Sequence, residues 1–491
     1  MAKPTLEQMK QMQGDYSIIP MCEEIYADVT PPIALLRKLM GQSEKCYLLE
    51  SVEGGKRWGR YSFLGFDPLV EAICQNGVVN VQRGTKDGIE SRAFVTEHPM
   101  EILRQVLKDY RSPKIEGMPP FTGGLVGYFS YRMIGYAEPV LKLQKSQFND
   151  FHLMLFDRVV AYDHLTQKIL VVVNVATDRL EENYVKAAQE IQKLINLIRD
   201  PAPLPVFNAD EDPKFSCNVT KEEFCRRVEK TKRYITEGDI FQAVISRRFE
   251  ADYRGSLLNA YRVLRTTNPS PYMFYIRTGD VEIAGTSPET LIKLQNGKLS
   301  TYPVAGTRPR GADDQEDAVL ERDLLRDEKE LAEHNMLVDL ARNDLGKISQ
   351  FGSVKVKEYM QIHRYSQVMH IASIVEGDIC PDKDAADAIV TALPAGTLSG
   401  APKIRACQII DEVEGEPRGI YGGAIGYIDF SGNMDVCIAI RMAVKKDGKV
   451  TVQAGGGIVA DSVPENEYQE SANKAKAAMN AVIRASEVNE V

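Results

Sequence analysis

Apolar and polar positions alternate with a period near two in segments such as CYLLESV from Cys46 and LMLFDRVVAY from Leu153, and glycine-rich turns separate these segments. That alternation predicts strands that bury one face. A stretch from Leu180 changes to helical spacing, so the region over residues 16–198 reads as α+β. RDPAPLPVFNADEDPKF follows, where Pro201, Pro203, Pro205 and Pro213 interrupt any regular element. The expected organisation is therefore a first region over 16–198, a Pro-rich linker over 199–214 and a second region over 215–485.

In the second region KEEFCRRVEKTKRYITEGD reads as a helix ending near Gly238, and FQAVISRRFEA as the strand after it. ERDLLRDEKELAEHNMLVDLARNDLG from Glu321 places leucines 324, 331, 337, 340 and 345 on one helical face. DSVPENEYQESANKAKAAMNAVIRA reads as a last helix, with Ser462 and Glu465 in a capping-box pattern and Pro464 in the first turn. GGLVGY from Gly123 resembles GGAIGY from Gly422, a likeness that duplicated strand pairs and chance both produce.

Composition narrows the classes. The 491 residues are 44% hydrophobic and 26% charged, an ordinary globular mixture. With 60 Lys+Arg against 69 Asp+Glu the net charge is -9, which argues against nucleic acid or an anionic membrane as partner. An anionic substrate would need positive charge supplied locally. The N-terminus lacks an apolar core of signal-peptide length, and ILVVVNVA from Ile169 is too short to span a bilayer, so a cytoplasmic protein is expected. Eight scattered cysteines form no CxxC pair and read as reduced structural thiols.

Helical spacing puts Glu330 with Glu333 on one face and Glu467 with Glu470 on another. Two such pairs can converge on Mg2+, a hard ion that takes oxygen ligands, or can be solvated helix faces. Ala454 opens AGGGIV, read as a loop after the strand VTVQA that either cradles an anion with its N–H groups or makes a tight turn. Arg441, in the strand-like CIAIRMAV, either enters a site or faces solvent. His370 in VMHIASIV suits a core position as well as an acid or base. Glu289, after a Ser-Pro turn, is a candidate general acid or an exposed turn residue.

Taken in order, TSPE at 286, PVAGTRPRG at 303, ELAEHNMLVDLARNDLG at 330, LPAGTLSGAPK at 393, GGAIGY at 422 and QAGGGIV at 453 resemble the chorismate-utilising enzyme family. LLES from Leu48 and GGLVGYFSY from Gly123 resemble the N-terminal region of anthranilate synthase large subunits within it. The resemblance implies an α/β (α+β) fold: a large, mainly antiparallel sheet sandwich with helices outside. It implies Mg2+ held by Glu333 and Glu470, with Glu330 and Glu467 direct or through water.

The implied substrate is chorismate, a dianion that the metal, Arg441, Lys474 and the N–H groups of Gly455, Gly456 and Gly457 would balance, in a pocket shared with Tyr421, Gly306 and Thr307. Related enzymes that add water carry a lysine where this chain has Gln242, and those that use a protein amine carry one where it has Ala305. Ammonia attacking directly at carbon 2 remains, with Glu289 as general acid for the 4-hydroxyl and with His370 and Thr397 near the later proton transfers.

The chain carries no glutaminase signature, so a separate glutamine amidotransferase small subunit is the expected ammonia source. Tryptophan inhibition is implied at Ser51, Pro271, Tyr272 and Met273. The competing readings are an aminodeoxychorismate synthase large subunit and a silent chorismate- or tryptophan-binding regulator.

Overall fold

Long β-branched runs such as KILVVVNVA at Lys168–Ala176 fit a strand covered on both faces, since branched side chains pack well on a pleated surface. The computed structural model describes residues 2–28, 30–53, 57–85, 88–364 and 368–488. Among these, two twelve-stranded antiparallel sheets stack face to face. Side chains alternate across the first sheet: Tyr47, Phe274 and Ile276 point to the core between the sheets, while Cys46, Leu48, Met273 and Tyr275 point to a second core. That second core lies under the outer helices Pro32–Met40, Leu180–Arg199, Leu258–Thr267 and Pro464–Ile483. The expected sandwich with helices outside is what the chain forms.

Both sheets are built outward from a central pair by the two halves of the chain in the same order. In the first, Lys45–Glu50 pairs with Tyr272–Thr278. Outward from it, Tyr61–Phe66, Arg158–Asp163, Lys168–Ala176 and Ile18–Tyr26 on one side answer Val281–Ser287, Met442–Lys446, Lys449–Ile458 and Gln242–Asp252 on the other. In the second, Gly124–Phe129 pairs with Ala424–Asp429. The similar hexapeptides GGLVGY and GGAIGY thus lie antiparallel to each other, with Gly127 opposite Gly426. Residues 200–215 run without helix or strand and are held down by Arg37 Nε on Pro205 O and by Gly255 N on Asp210 Oδ1.

Three local expectations are corrected. The helix read from Glu321 is two, Asp314–Leu324 and Glu328–Gly346. The break comes at Asp327, whose carboxylate accepts from the N–H groups of Lys329 and Glu330 and so starts a new helix. The capping box at Ser462 and Glu465 does not form, because the last helix begins at Pro464 with Val463 at its N-cap, one residue too late for Ser462 to cap it. The triglycine is strand rather than loop: Gly455, Gly456 and Gly457 lie opposite Ser246, Ile245 and Val244 in the ladder.

Candidate active site

The last helix turns Ser471, Ala475, Ala478 and Val482 inward, four residues small enough to seat it close on the first sheet. Glu467, Glu470 and Lys474 then fall on the flank of that face, over the triglycine strand. A Cβ on Gly456 would lie 3.0 Å from Glu467 Oε2 and 3.4 Å from Glu470 Oε1. One on Gly457 would strike the Gln242 side chain, and one on Gly455 would come 2.4 Å from Ile245 O. The three glycines make room for two carboxylates, an amide and the neighbouring backbone. Ser462 Oγ donates to Glu467 Oε1 at 2.7 Å, and Lys474 Nζ contacts Glu470 Oε1 at 2.6 Å and Gly455 O at 3.2 Å.

The helix Glu328–Gly346 brings Glu330 and Glu333 to the same place from the other sheet. Burial raises the proton affinity of Glu330 and Glu333, each further raised by a nearby carboxylate that includes Glu470. Burial likewise raises Glu467, with Glu470 adding to it and Ser462 opposing. The charge of Glu470 is therefore felt by acids on both helices. Among the described residues no three ligating side chains are gathered closely enough to hold a metal as they stand. The donors on offer are carboxylate oxygens, the ligand type that a hard divalent cation such as Mg2+ takes, with Lys474 on Glu470 and Arg308 near Glu330 as the counter-charges beside them.

Gly306 makes the third wall. It has φ +68° at a bulge between Ala305 and Thr307, where a Cβ would lie 3.2 Å from Glu330 Oε2. Thr307 pairs with His370, whose Nδ1 lies 3.0 Å from both Thr307 Oγ1 and Gly306 O. Facing a carbonyl, Nδ1 carries the proton, which makes Nε2 the basic nitrogen. Burial lowers the proton affinity of His370, so the ring is neutral at pH 7.

Arg441 is not in a strand. The chain leaves the second sheet after Ile438 and enters the first at Met442, and Arg441 sits in this crossing with φ +53°. Apolar neighbours at 438 and 440 mimic strand alternation, but the turn between sheets holds the residue in a conformation that costs about 1 kcal/mol or more for a side chain-bearing residue. Burial lowers its proton affinity against the pull of Glu289, Tyr421 and Glu470, without making it neutral. Glu289, between strands Val281–Ser287 and Thr290–Gln295, accepts from Thr397 Oγ1 at 3.0 Å. Desolvation raises its proton affinity; Thr397, Lys474 and Arg441 oppose that rise.

Sequence reasoning passed over an ion pair that supports this wall. Arg418 donates to Glu414, to Val244 O and to Leu398 O, next to Thr397, and Glu414 Oε1 also receives Ser246 N and Oγ. Tyr421 packs near the Arg418 guanidinium. Helical spacing gave no signal for this ion pair, because the helix Lys403–Glu414 ends at Glu414 and Arg418 lies beyond the Gly415 C-cap. The residues expected at the regulatory site also meet: Val52 N donates to Ser270 O beside Ser51, and Met273 lies opposite Glu50. Tyr272 donates to Asp435 Oδ1 at 2.8 Å.

Comparison with known proteins agrees with this layout. The sequence profile of the chorismate binding enzymes matches residues 44–480. Anthranilate synthase component 1 of Acetivibrio thermocellus is 45% identical, with 99% of each chain covered, and that of Aquifex aeolicus is 44% identical at the same coverage. The crystal structure of anthranilate synthase component I from Streptococcus pneumoniae aligns with a TM-score of 0.77 and 38% identity over 86% of this chain and 92% of that one. The menaquinone-specific isochorismate synthase of Escherichia coli, at 19% identity and a TM-score of 0.69, shares the fold. This chain belongs to the chorismate binding enzyme family, with anthranilate synthase component 1 enzymes as relatives over its whole length.

Proposed function

We propose that the chain is the large subunit of an anthranilate synthase, which aminates chorismate with ammonia and eliminates pyruvate, the step that commits chorismate to tryptophan. The observation that carries this reading within the family is Gln242. Its side chain is 4% exposed and packs on Gly457, and its Oε1 accepts no hydrogen bond among the described residues. It stands where water-adding relatives carry a lysine. A neutral amide cannot deprotonate water, but its carbonyl oxygen can accept a hydrogen bond from ammonia. Ala305, with only a methyl, offers no amine nucleophile.

Arg441, Lys474 and the backbone of Gly455–Gly457 balance the substrate dianion. Mg2+, when bound, supplies the charge that holds the ring carboxylate, with Glu333 and Glu470 as ligands and Glu330 and Glu467 binding directly or through water. Glu289, protonated, gives its proton to the departing 4-hydroxyl while ammonia adds at carbon 2 and the double bonds shift. The intermediate is 2-amino-2-deoxyisochorismate. His370 Nε2 is the candidate base for the carbon 2 proton, whose loss expels enolpyruvate and aromatises the ring, and Thr397 holds the Glu289 carboxyl in register. A glutamine amidotransferase subunit supplies the ammonia.

The same reading includes tryptophan inhibition. Ser270 Oγ donates to Ser287 O at 2.5 Å, Tyr272 lies opposite Ser287, and Glu289 follows two residues later. A ligand wedged between Ser51 and Pro271–Met273 pulls on the strand Val281–Ser287, which ends two residues before Glu289. With chorismate, ammonium and Mg2+ the protein is expected to form fluorescent anthranilate, and Glu333→Gln and Glu470→Gln are each expected to abolish that turnover with unchanged circular dichroism. Near-normal activity of either variant at saturating Mg2+ contradicts the metal assignment.

A further inference from the structure

The Glu289 carboxyl feels Arg441 and Lys474. Glu289 also lines a cavity of about 70 Å3, walled by Thr397, Tyr302, Leu337, Leu340, Ala341 and Asp344 among others. None of His370, Arg441, Gly456 or Lys474 lines it, so it is not the space in which the dianion is held. The volume admits a short file of about two to four waters, between walls that include the hydroxyl-bearing residues Tyr302, Thr391 and Thr397.

Asp344 is the second carboxylate in this wall. Lys403 Nζ donates to its Oδ2 at 2.7 Å. Its Oδ1 is buried and accepts no hydrogen bond among the described residues, with the half-exposed Lys347 ammonium 3.6 Å away. The wall thus runs from a desolvated acid at the reacting centre to a carboxylate whose neighbour is in solvent.

The reaction makes demands at this spot. Each turnover takes one proton from Glu289 and releases one water from carbon 4, while the seated ring covers the side facing Arg441. We propose that the cavity is the exit for that water and the route by which Glu289 is reprotonated, with Asp344 a positioning residue whose Oδ1 accepts from the outer water and orients it so that a proton from solvent passes inward along the file. The inference rests on Glu289 being the general acid. The balance closes: the carbon 4–oxygen bond breaks as Glu289 protonates the hydroxyl, and the carbon 2–nitrogen bond forms. The new ammonium sheds one proton to solvent, and one proton returns to Glu289 along the file.

Two variants test the route in the intact enzyme, Asp344→Asn, which removes the acceptor, and Ala341→Leu, which fills the cavity from a helix and touches no ion pair. Both are expected to lower kcat by about tenfold or more with little change in the KM for chorismate, within the usual reach of acid–base catalysis. The solvent deuterium isotope effect on kcat is expected to rise, and Asp344→Glu to restore the parental values. Parental kcat and isotope effect in both variants overturns the proposal, and so does a fall in kcat without a larger isotope effect, which marks a structural disturbance alone. If the parent protein itself makes no anthranilate, the functional reading fails and not merely this route.

Discussion

Glu289 owes its proton affinity to two opposed causes, burial that favours the neutral acid and the Thr397, Lys474 and Arg441 contacts that favour the carboxylate. Burial wins, and under the proposed mechanism the protonated form is the one that acts, so kcat should fall as pH rises through a pKa lying above the usual carboxylate range. Thr397→Val removes a bond that favours the charged form and should move this alkaline limb to higher pH, whereas a limb that stays put or moves down contradicts the account. Glu289→Gln should cost about 10²–10⁴-fold in kcat at every pH. The Ser-Pro turn made Glu289 legible as a projecting acid. Arg441 was legible as a residue type but not as a conformation, because alternation at Ile438 and Ile440 looks the same whether a strand continues or changes sheet.

At the scale of elements, the two ExxE faces were legible because helical spacing is local. Their convergence came only from the family resemblance and not from spacing, because it depends on how the sandwich places the helices Glu328–Gly346 and Pro464–Ile483. The triglycine misled for a related reason. Glycine marks turns, yet here it serves a strand over which Glu467, Glu470 and Gln242 lie. This separates two substitutions. Gly455→Ala drives a methyl onto Ile245 O and should destabilise the fold by about 1–3 kcal/mol. Gly456→Ala meets only the flexible ends of Glu467 and Glu470, and should raise the Mg2+ concentration for half-maximal activity at nearly parental Tm. Thermal unfolding without Mg2+, together with Mg2+ activation curves, checks both, and the opposite pattern contradicts the placement of the acids over Gly456.

The whole molecule explains why a boundary near residue 200 is visible in the sequence while neither sheet stops there. Each half contributes one strand to the central pair of each sheet, so Ser51 from the first half meets Pro271–Met273 from the second. The hexapeptide likeness was the only sequence trace of this arrangement, and pairing partners as far apart as Gly127 and Gly426, or Glu50 and Met273, leave no local signal. Because the proposed regulatory contact spans both halves and is set apart from the proposed reacting pocket, Ser51→Phe should relieve tryptophan inhibition and leave uninhibited turnover within about twofold. Inhibition unchanged from the parent would remove Ser51 from the site. The most direct measurement of the central claim is the fate of chorismate incubated with the protein, Mg2+ and 15N-labelled ammonium, read by NMR of the product. The account predicts anthranilate whose labelled nitrogen is bonded to the ring carbon next to the carboxylate-bearing carbon, accompanied by equimolar pyruvate. A 4-amino product, or an unlabelled product hydroxylated from water, would contradict it.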